Sequence, residues 1–134
     1  MGVHVFHGGR VRPVVLYVDD ERNNRLLVRQ SLGDEFEVLL AKDGFEALRV
    51  LEQNKVNVLL ADHRMPGMTG VELFARAKEL FPGLPRILVS AYPEEEGLAE
   101  AVQQGTIQKL LAKPWTLEVL TRALWQALGD ARSQ

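Results

Sequence analysis

The chain has 134 residues, 46% of them hydrophobic, which suits one domain with a single substantial core. Its 16 basic and 18 acidic residues give a formal charge of −2 with no basic run, which excludes an electrostatic footprint for nucleic acid. There is no Cys for disulfides or thiolate metal sites, no apolar run near the roughly 20 residues that cross a bilayer, and no leader with a cleavage site, so a cytoplasmic protein is expected.

In chain order, residues 1–12, "MGVHVFHGGRVR", read as a short mixed tail. His4 and His7 have no further ligands beside them and belong to a frayed terminus rather than a metal site. The domain proper is expected over 13–129, with 130–134 as a C-terminal tail. "VVLYVD" (Val14 to Asp19) is an apolar run ending in acid, and Asn24 to Leu32 places apolar residues at helical spacing before Gly33. The pattern repeats with "FEVLLA" (Phe36 to Ala41), a helix from Phe45 to Gln53 carrying Ala47, Leu48 and Leu51, and "VNVLLAD" (Val56 to Asp62). Beyond the loop "HRMPGMTG", Leu73, Phe74, Ala77, Leu80 and Phe81 mark a third helix stopped by Pro82-Gly83. "PRILVS" (Pro85 to Ser90) is a fourth strand. A helix from Pro93 to Gln104 is expected next, opened by Pro93, faced by Leu98, Ala99 and Val102, and closed by Gly105. "IQKLLA" (Ile107 to Ala112) is a fifth strand. Leu117, Leu120, Leu124, Ala127 and Leu128 then define a last helix, capped by Thr116 and ended by Gly129.

Strands this uniformly apolar, separated by helices, call for right-handed crossovers and a parallel sheet covered on both faces. The predicted class is a doubly wound, flavodoxin-like (βα)5 three-layer sandwich with strand order 2-1-3-4-5.

In such a fold the site lies at the carboxyl ends of the strands, near the topological switch point. There the reading places Asp19 and Asp20 after strand one, Asp62 after strand three, Ser90 after strand four and Lys113 after strand five. Three converging carboxylates repel one another unless they share a cation, and Mg2+ suits a few carboxylates with retained waters. With Lys113 as a point charge and Ser90 as a hydroxyl donor, the set fits phosphoryl transfer to a carboxylate, Asp62 being the acceptor. The acids at adjacent positions of the first strand do not match the Asp-x-Asp arrangement of aspartyl-phosphate phosphatases. "DDERNN" is too acidic for the phosphate loop of a flavin-binding module.

"VDDE", "LLADHRMPGMTG", "ILVSA" and "LAKPW" together resemble the four signature segments of the response-regulator receiver domain of two-component signalling, and the resemblance runs from Val14 to about Leu128. It implies that Asp62 takes a phosphoryl group from a sensor histidine kinase or phosphotransfer protein. Asp19, Asp20, Asp62 and the main-chain carbonyl of Arg64 would hold Mg2+, while Ser90 and Lys113 would bind phosphoryl oxygens. The Lys113-Pro114 bond would be cis. The domain would have no enzymatic activity beyond phosphorylating and dephosphorylating itself. Its switched surface, on the fourth helix, fifth strand and fifth helix, would meet an output domain, an effector or a second copy in a homodimer.

The family commonly carries an aromatic residue three positions before the lysine, where its ring turns inward with the moving hydroxyl; here Leu110 stands there. That departure keeps open an alternative, a receiver-like interaction domain independent of phosphate. Arg64 and Tyr92, each two residues beyond a site residue, are large enough to shield an acyl phosphate from water. His63 needs no function to be tolerated beside Asp62. Trp125, off the apolar face of the last helix, is read either as a protein contact or as packed along Arg122, and Trp115 as packed on the domain's edge. "GTIQKLLAKPW" looks closest to receivers that precede larger output modules, such as enhancer-binding regulators or cyclic-dinucleotide phosphodiesterases.

Overall fold

The computed structural model describes residues 5–7 and 10–132. Five parallel strands form the sheet: β3 (Val14–Val18), β4 (Glu37–Ala41), β5 (Val58–Asp62), β6 (Arg86–Ser90) and β7 (Lys109–Ala112). Their order, β4-β3-β5-β6-β7, is the predicted one. Every residue of β3, β5 and β6 is buried, which is why these stretches carry no polar alternation, whereas the edge strands β4 and β7 are only partly covered.

The helices α1 (Arg22–Leu32) and α5 (Leu117–Arg132) cover one face. Val15, Tyr17, Leu60 and Val89 of the sheet meet Val28, Leu32, Leu120 and Leu124 there. On the opposite face α2 (Gly44–Gln53), α3 (Gly70–Leu80) and α4 (Leu98–Gln103) pack Ala47, Leu51, Leu73, Phe74 and Leu98 on Leu16, Leu59 and Leu88. Alternate residues of one strand thus serve two cores, as the period-2 pleat requires. The chain leaves β3 in one direction, to β4, and returns past it to β5. That reversal opens a crevice between the carboxyl ends of β3 and β5.

Local chemistry sets the helix starts. Asp43 accepts from the Glu46 amide at the head of α2. Thr69 and Glu72 form a reciprocal capping box at α3, readable in the sequence as T-x-x-E. Thr116 accepts from the Val119 amide, as its predicted capping role requires. No helix among the described residues is long and apolar enough to cross a membrane.

Three expectations need correction. The segment read as a short mixed tail with a frayed terminus contains two short antiparallel strands, β1 (Val5–His7) and β2 (Arg10–Arg12), in which His7 pairs with Arg10; His4 lies outside the described residues. The fourth helix begins at Leu98 rather than Pro93. "PEEEG" offers no apolar side chain to the core, and Gly97 at φ +94° sets the chain off the helical path just before Leu98. Its buried anchors are Leu98 and Ala101, and both Ala99 and Val102 are exposed. Finally, α5 runs through Gly129 to Arg132, because that glycine does not adopt the positive φ of a helix stop.

Two packing features were not anticipated. Arg86 is buried at the start of β6, where its guanidinium donates to the carbonyls of Leu84 (2.7 Å), Thr106 (2.9 Å) and Gly105 (2.9 Å). With Lys78 Nζ donating to the Gln104 carbonyl at 2.9 Å, two cations hold the C-terminal end of α4. Trp125 finds a partner across the fold in Phe36. Its ring packs 4.9 Å from that of Phe36, and Nε1 donates to Glu35 Oε1 at 2.8 Å, joining α5 to the entry of β4. Trp115 is half-buried against the core on the α1 and α5 face.

Candidate functional site

The strands end level. Val18 is in register with Ala41 and Ala61, Asp62 with Val89, and Ser90 with Ala112, so the polar residues that follow each apolar run emerge along one rim. Asp19 is fully buried there. Its carboxylate accepts from the Tyr17 hydroxyl (2.6 Å), the Glu21 amide (3.0 Å) and Asn24 Nδ2 (3.2 Å), which fixes its orientation. Burial, reinforced by the neighbouring Asp19 carboxylate, pushes the Tyr17 phenol far above its usual range, so it stays a donor. Asp20 is exposed and Asp62 nearly buried, and the three acids offer oxygens that all lie within 4.8 Å of one another.

Opposite them, Lys113 Nζ stands 2.6 Å from Asp62 Oδ1. Desolvation pushes the Asp62 carboxyl above the ordinary carboxylate range; the lysine opposes that rise, while Asp19 and Asp20 add to it. Ser90 is buried at the end of β6, and its Oγ accepts from the Tyr92 amide at 2.9 Å. The Lys113 amide in turn donates to the Ser90 carbonyl at 2.9 Å, and the Lys113-Pro114 bond is cis, as the sequence suggested. Gly70 lets α3 pass close beneath: an added Cβ would fall 2.6 Å from the Asp62 carbonyl oxygen and 2.5 Å from Leu88 Cδ1.

All the predicted residues with side chains at this rim, Asp19, Asp20, Asp62, Ser90 and Lys113, therefore converge. Leu110 sits away from the rim, half-buried on β7 against the core beneath α2, α3 and α4. Arg64 is exposed and lies over the Tyr92 ring, 4.5 Å from its centroid. It also reaches Glu95, with Nε and Nη2 each 3.0 Å from Oε1. The guanidinium holds Glu95 below the ordinary carboxylate range, so it is an anion at neutral pH. The second oxygen of Glu95 lies 3.3 Å from His63 Nε2. His63 is buried, with no partner for Nδ1 among the described residues. Sequence reasoning missed Glu95, Tyr17 and Asn24. Asn24, five positions beyond Asp19 on the first helix, was within reach of spacing; Glu95 was hidden in a run of three acids.

Comparison with known proteins identifies the family. Residues 15–125 match the family model described as the response regulator receiver domain. This chain belongs to the receiver domain family. The receiver is 37% identical over 114 residues to the hydrogenase transcriptional regulatory protein HoxA of Cupriavidus necator, covering 85% of this chain and 24% of that protein. It is 36% identical over 112 residues to the sensor histidine kinase RcsC of Escherichia coli, covering 83% of this chain and 12% of the kinase. The chain thus spans a quarter or less of the length of these curated relatives. Among solved structures, the signal receiver domain of an HD domain-containing protein from Pseudomonas fluorescens superposes with a TM-score of 0.86 at 31% identity, covering 92% of this chain and 99% of that one. The response regulator TrrA of Thermotoga maritima, described in complex with Mg2+ and BeF, has a TM-score of 0.77 at 25% identity, covering 86% and 98%. The donor set of this receiver is all oxygen and rich in carboxylate, which fits a hard divalent cation such as Mg2+.

Proposed function

We propose that this receiver is a phosphoacceptor switch: Asp62 takes a phosphoryl group from the phosphohistidine of a sensor kinase or phosphotransfer protein. The observation that carries this reading is the cluster of Asp19, Asp20 and Asp62 with Lys113 Nζ 2.6 Å from Asp62 Oδ1. Asp19, Asp20, Asp62 and the main-chain carbonyl of Arg64 would hold Mg2+, whose charge would offset that gathering on the transferred group. Asp62 supplies the attacking oxygen, the phosphorus–nitrogen bond to the donor histidine breaks, and the imidazole departs with its electron pair and takes up a proton. Lys113 exchanges its carboxylate partner for a phosphoryl oxygen, and Ser90 donates its hydroxyl proton to another. The tight hydrogen bonding of Asp19 keeps one carboxylate fixed while Asp62 reacts.

The signal leaves through a protein contact, on an output domain, an effector or a second receiver. Exposed Val102 on α4, and Leu117 and Val119 on α5, give that face apolar side chains for such a contact. Leu110 on the intervening β7 supports the second reading, an interaction domain independent of phosphate, since an aliphatic side chain has no ring to reorient. The two are separated by fluorine NMR with Mg2+ and beryllofluoride. The phosphoacceptor reading expects bound fluoride resonances in the wild type and none in Asp62→Asn or without Mg2+. A wild type that forms no complex would favour the second.

A further inference from the structure

Glu95 is unusually placed for a half-buried acid in a turn. Its two carboxylate oxygens reach back across the rim to both residues that follow Asp62, one to His63 Nε2 and the other to the Arg64 guanidinium. The turn that carries Glu95 starts from the other side of the site. The Tyr92 amide rests on Ser90 Oγ, the Glu95 amide on the Tyr92 carbonyl, and the Leu98 amide on the Glu95 carbonyl at the first residue of α4. Ser90, Tyr92, Glu95 and Leu98 therefore form one continuous hydrogen-bonded path from the site to a helix of only six residues. The far end of that helix is held by Arg86 and Lys78, and its near end by the buried Leu98 and by this turn.

We propose that Glu95 is a positioning residue whose bridge to His63 and Arg64 holds the Ser90–Leu98 turn and the start of α4 in the resting arrangement, so that phosphoryl binding must break it. This rests on the phosphoacceptor reading and adds the route of its regulation. When Ser90 Oγ turns to a phosphoryl oxygen on Asp62, the Tyr92 amide follows its acceptor, and Glu95 is drawn from His63 and Arg64. The bridge opposes that movement and sets the gap between the two states. It also bypasses Leu110, so the coupling needs no aromatic residue on β7.

The test is a titration of the Mg2+-loaded protein with beryllofluoride, with amide spectra recorded before and after, for the wild type, Glu95→Ala and Glu94→Ala. Alanine keeps the backbone bonds of the turn, and the Glu94 variant removes a neighbouring exposed acid as a control for charge alone. Loss of a partly exposed bridge should lower the half-saturating concentration about two- to fivefold in Glu95→Ala. The unliganded amides of residues 98–103 should also move along the line toward their bound positions, and Glu94→Ala should do neither. A Glu95→Ala protein that binds like the wild type, or that binds more tightly without displaced α4 amides, would overturn the inference and leave the phosphoacceptor reading standing. A wild type that forms no complex would end both.

Discussion

Asp62 bears its charge against its surroundings: burial and two neighbouring acids raise its proton affinity, and only Lys113 opposes them. Its folded pKa lies above the unfolded value, so the folded state holds the proton more tightly. Stability contributed by the neutral form is then lost as pH rises from the ordinary carboxylate range through the raised value. Without divalent cations at neutral pH, Asp62→Asn is therefore expected to melt a few degrees higher than the wild type, on the order of 1 kcal/mol. The difference should vanish below the ordinary carboxylate range, where both side chains are neutral; melts in chelator across that range measure it. Arg64 lies over the Tyr92 ring, 4.5 Å from its centroid, and this pair is expected to shield an acyl phosphate on Asp62 from water. Losing that contact should shorten the acyl-phosphate half-life about two- to fivefold in Arg64→Ala or Tyr92→Ala, followed by the decay of phosphoprotein after the donor is removed. These positions were legible because each acid, hydroxyl or lysine ends or follows an apolar run. Glu95 was not, since its partners His63 and Arg64 are distant in sequence and meet it only when β5 and β6 lie side by side.

At the scale of elements, α4 shows where a pattern read from sequence stops short. Proline followed by three acids is a good helix opening, yet a helix this short is decided by what it buries, and only Leu98 and Ala101 reach the core. Its remaining hold comes from Arg86 and Lys78, a cation-to-carbonyl arrangement with no sequence signature. Replacing Arg86 by Met strips partners from the buried Leu84 carbonyl and the partly buried carbonyls of Gly105 and Thr106 and should cost about 2–4 kcal/mol in urea denaturation. Amides of residues 98–106 should gain hydrogen exchange before the rest of the sheet. Arg86→Lys should recover part of the loss, since an ammonium cannot reproduce the forked contact to three carbonyls. At the other end of the chain, Gly129 looked like a stop but carries no backbone constraint that makes it one.

For the whole molecule, strand order and layering were readable from uniform apolar runs alternating with helical spacing, because β3, β5 and β6 are buried on both faces. The short strands before Val14 were not, since "VFHGGRVR" carries too few residues for a period to register. A sheet that ends in three carboxylates should gain stability from the ion it is built to hold. Mg2+ at about a hundred times its dissociation constant should add about 2.7 kcal/mol to the wild type and clearly less to Asp19→Asn, read from unfolding midpoints with and without the ion. Above all the account requires covalent chemistry at one residue. The most direct measurement is intact-protein mass after incubation with Mg2+ and acetyl phosphate, wild type beside Asp62→Ala. One added phosphoryl group of about 80 Da in the wild type alone is the expected result. No adduct in the wild type, or an equal adduct in Asp62→Ala, would contradict it.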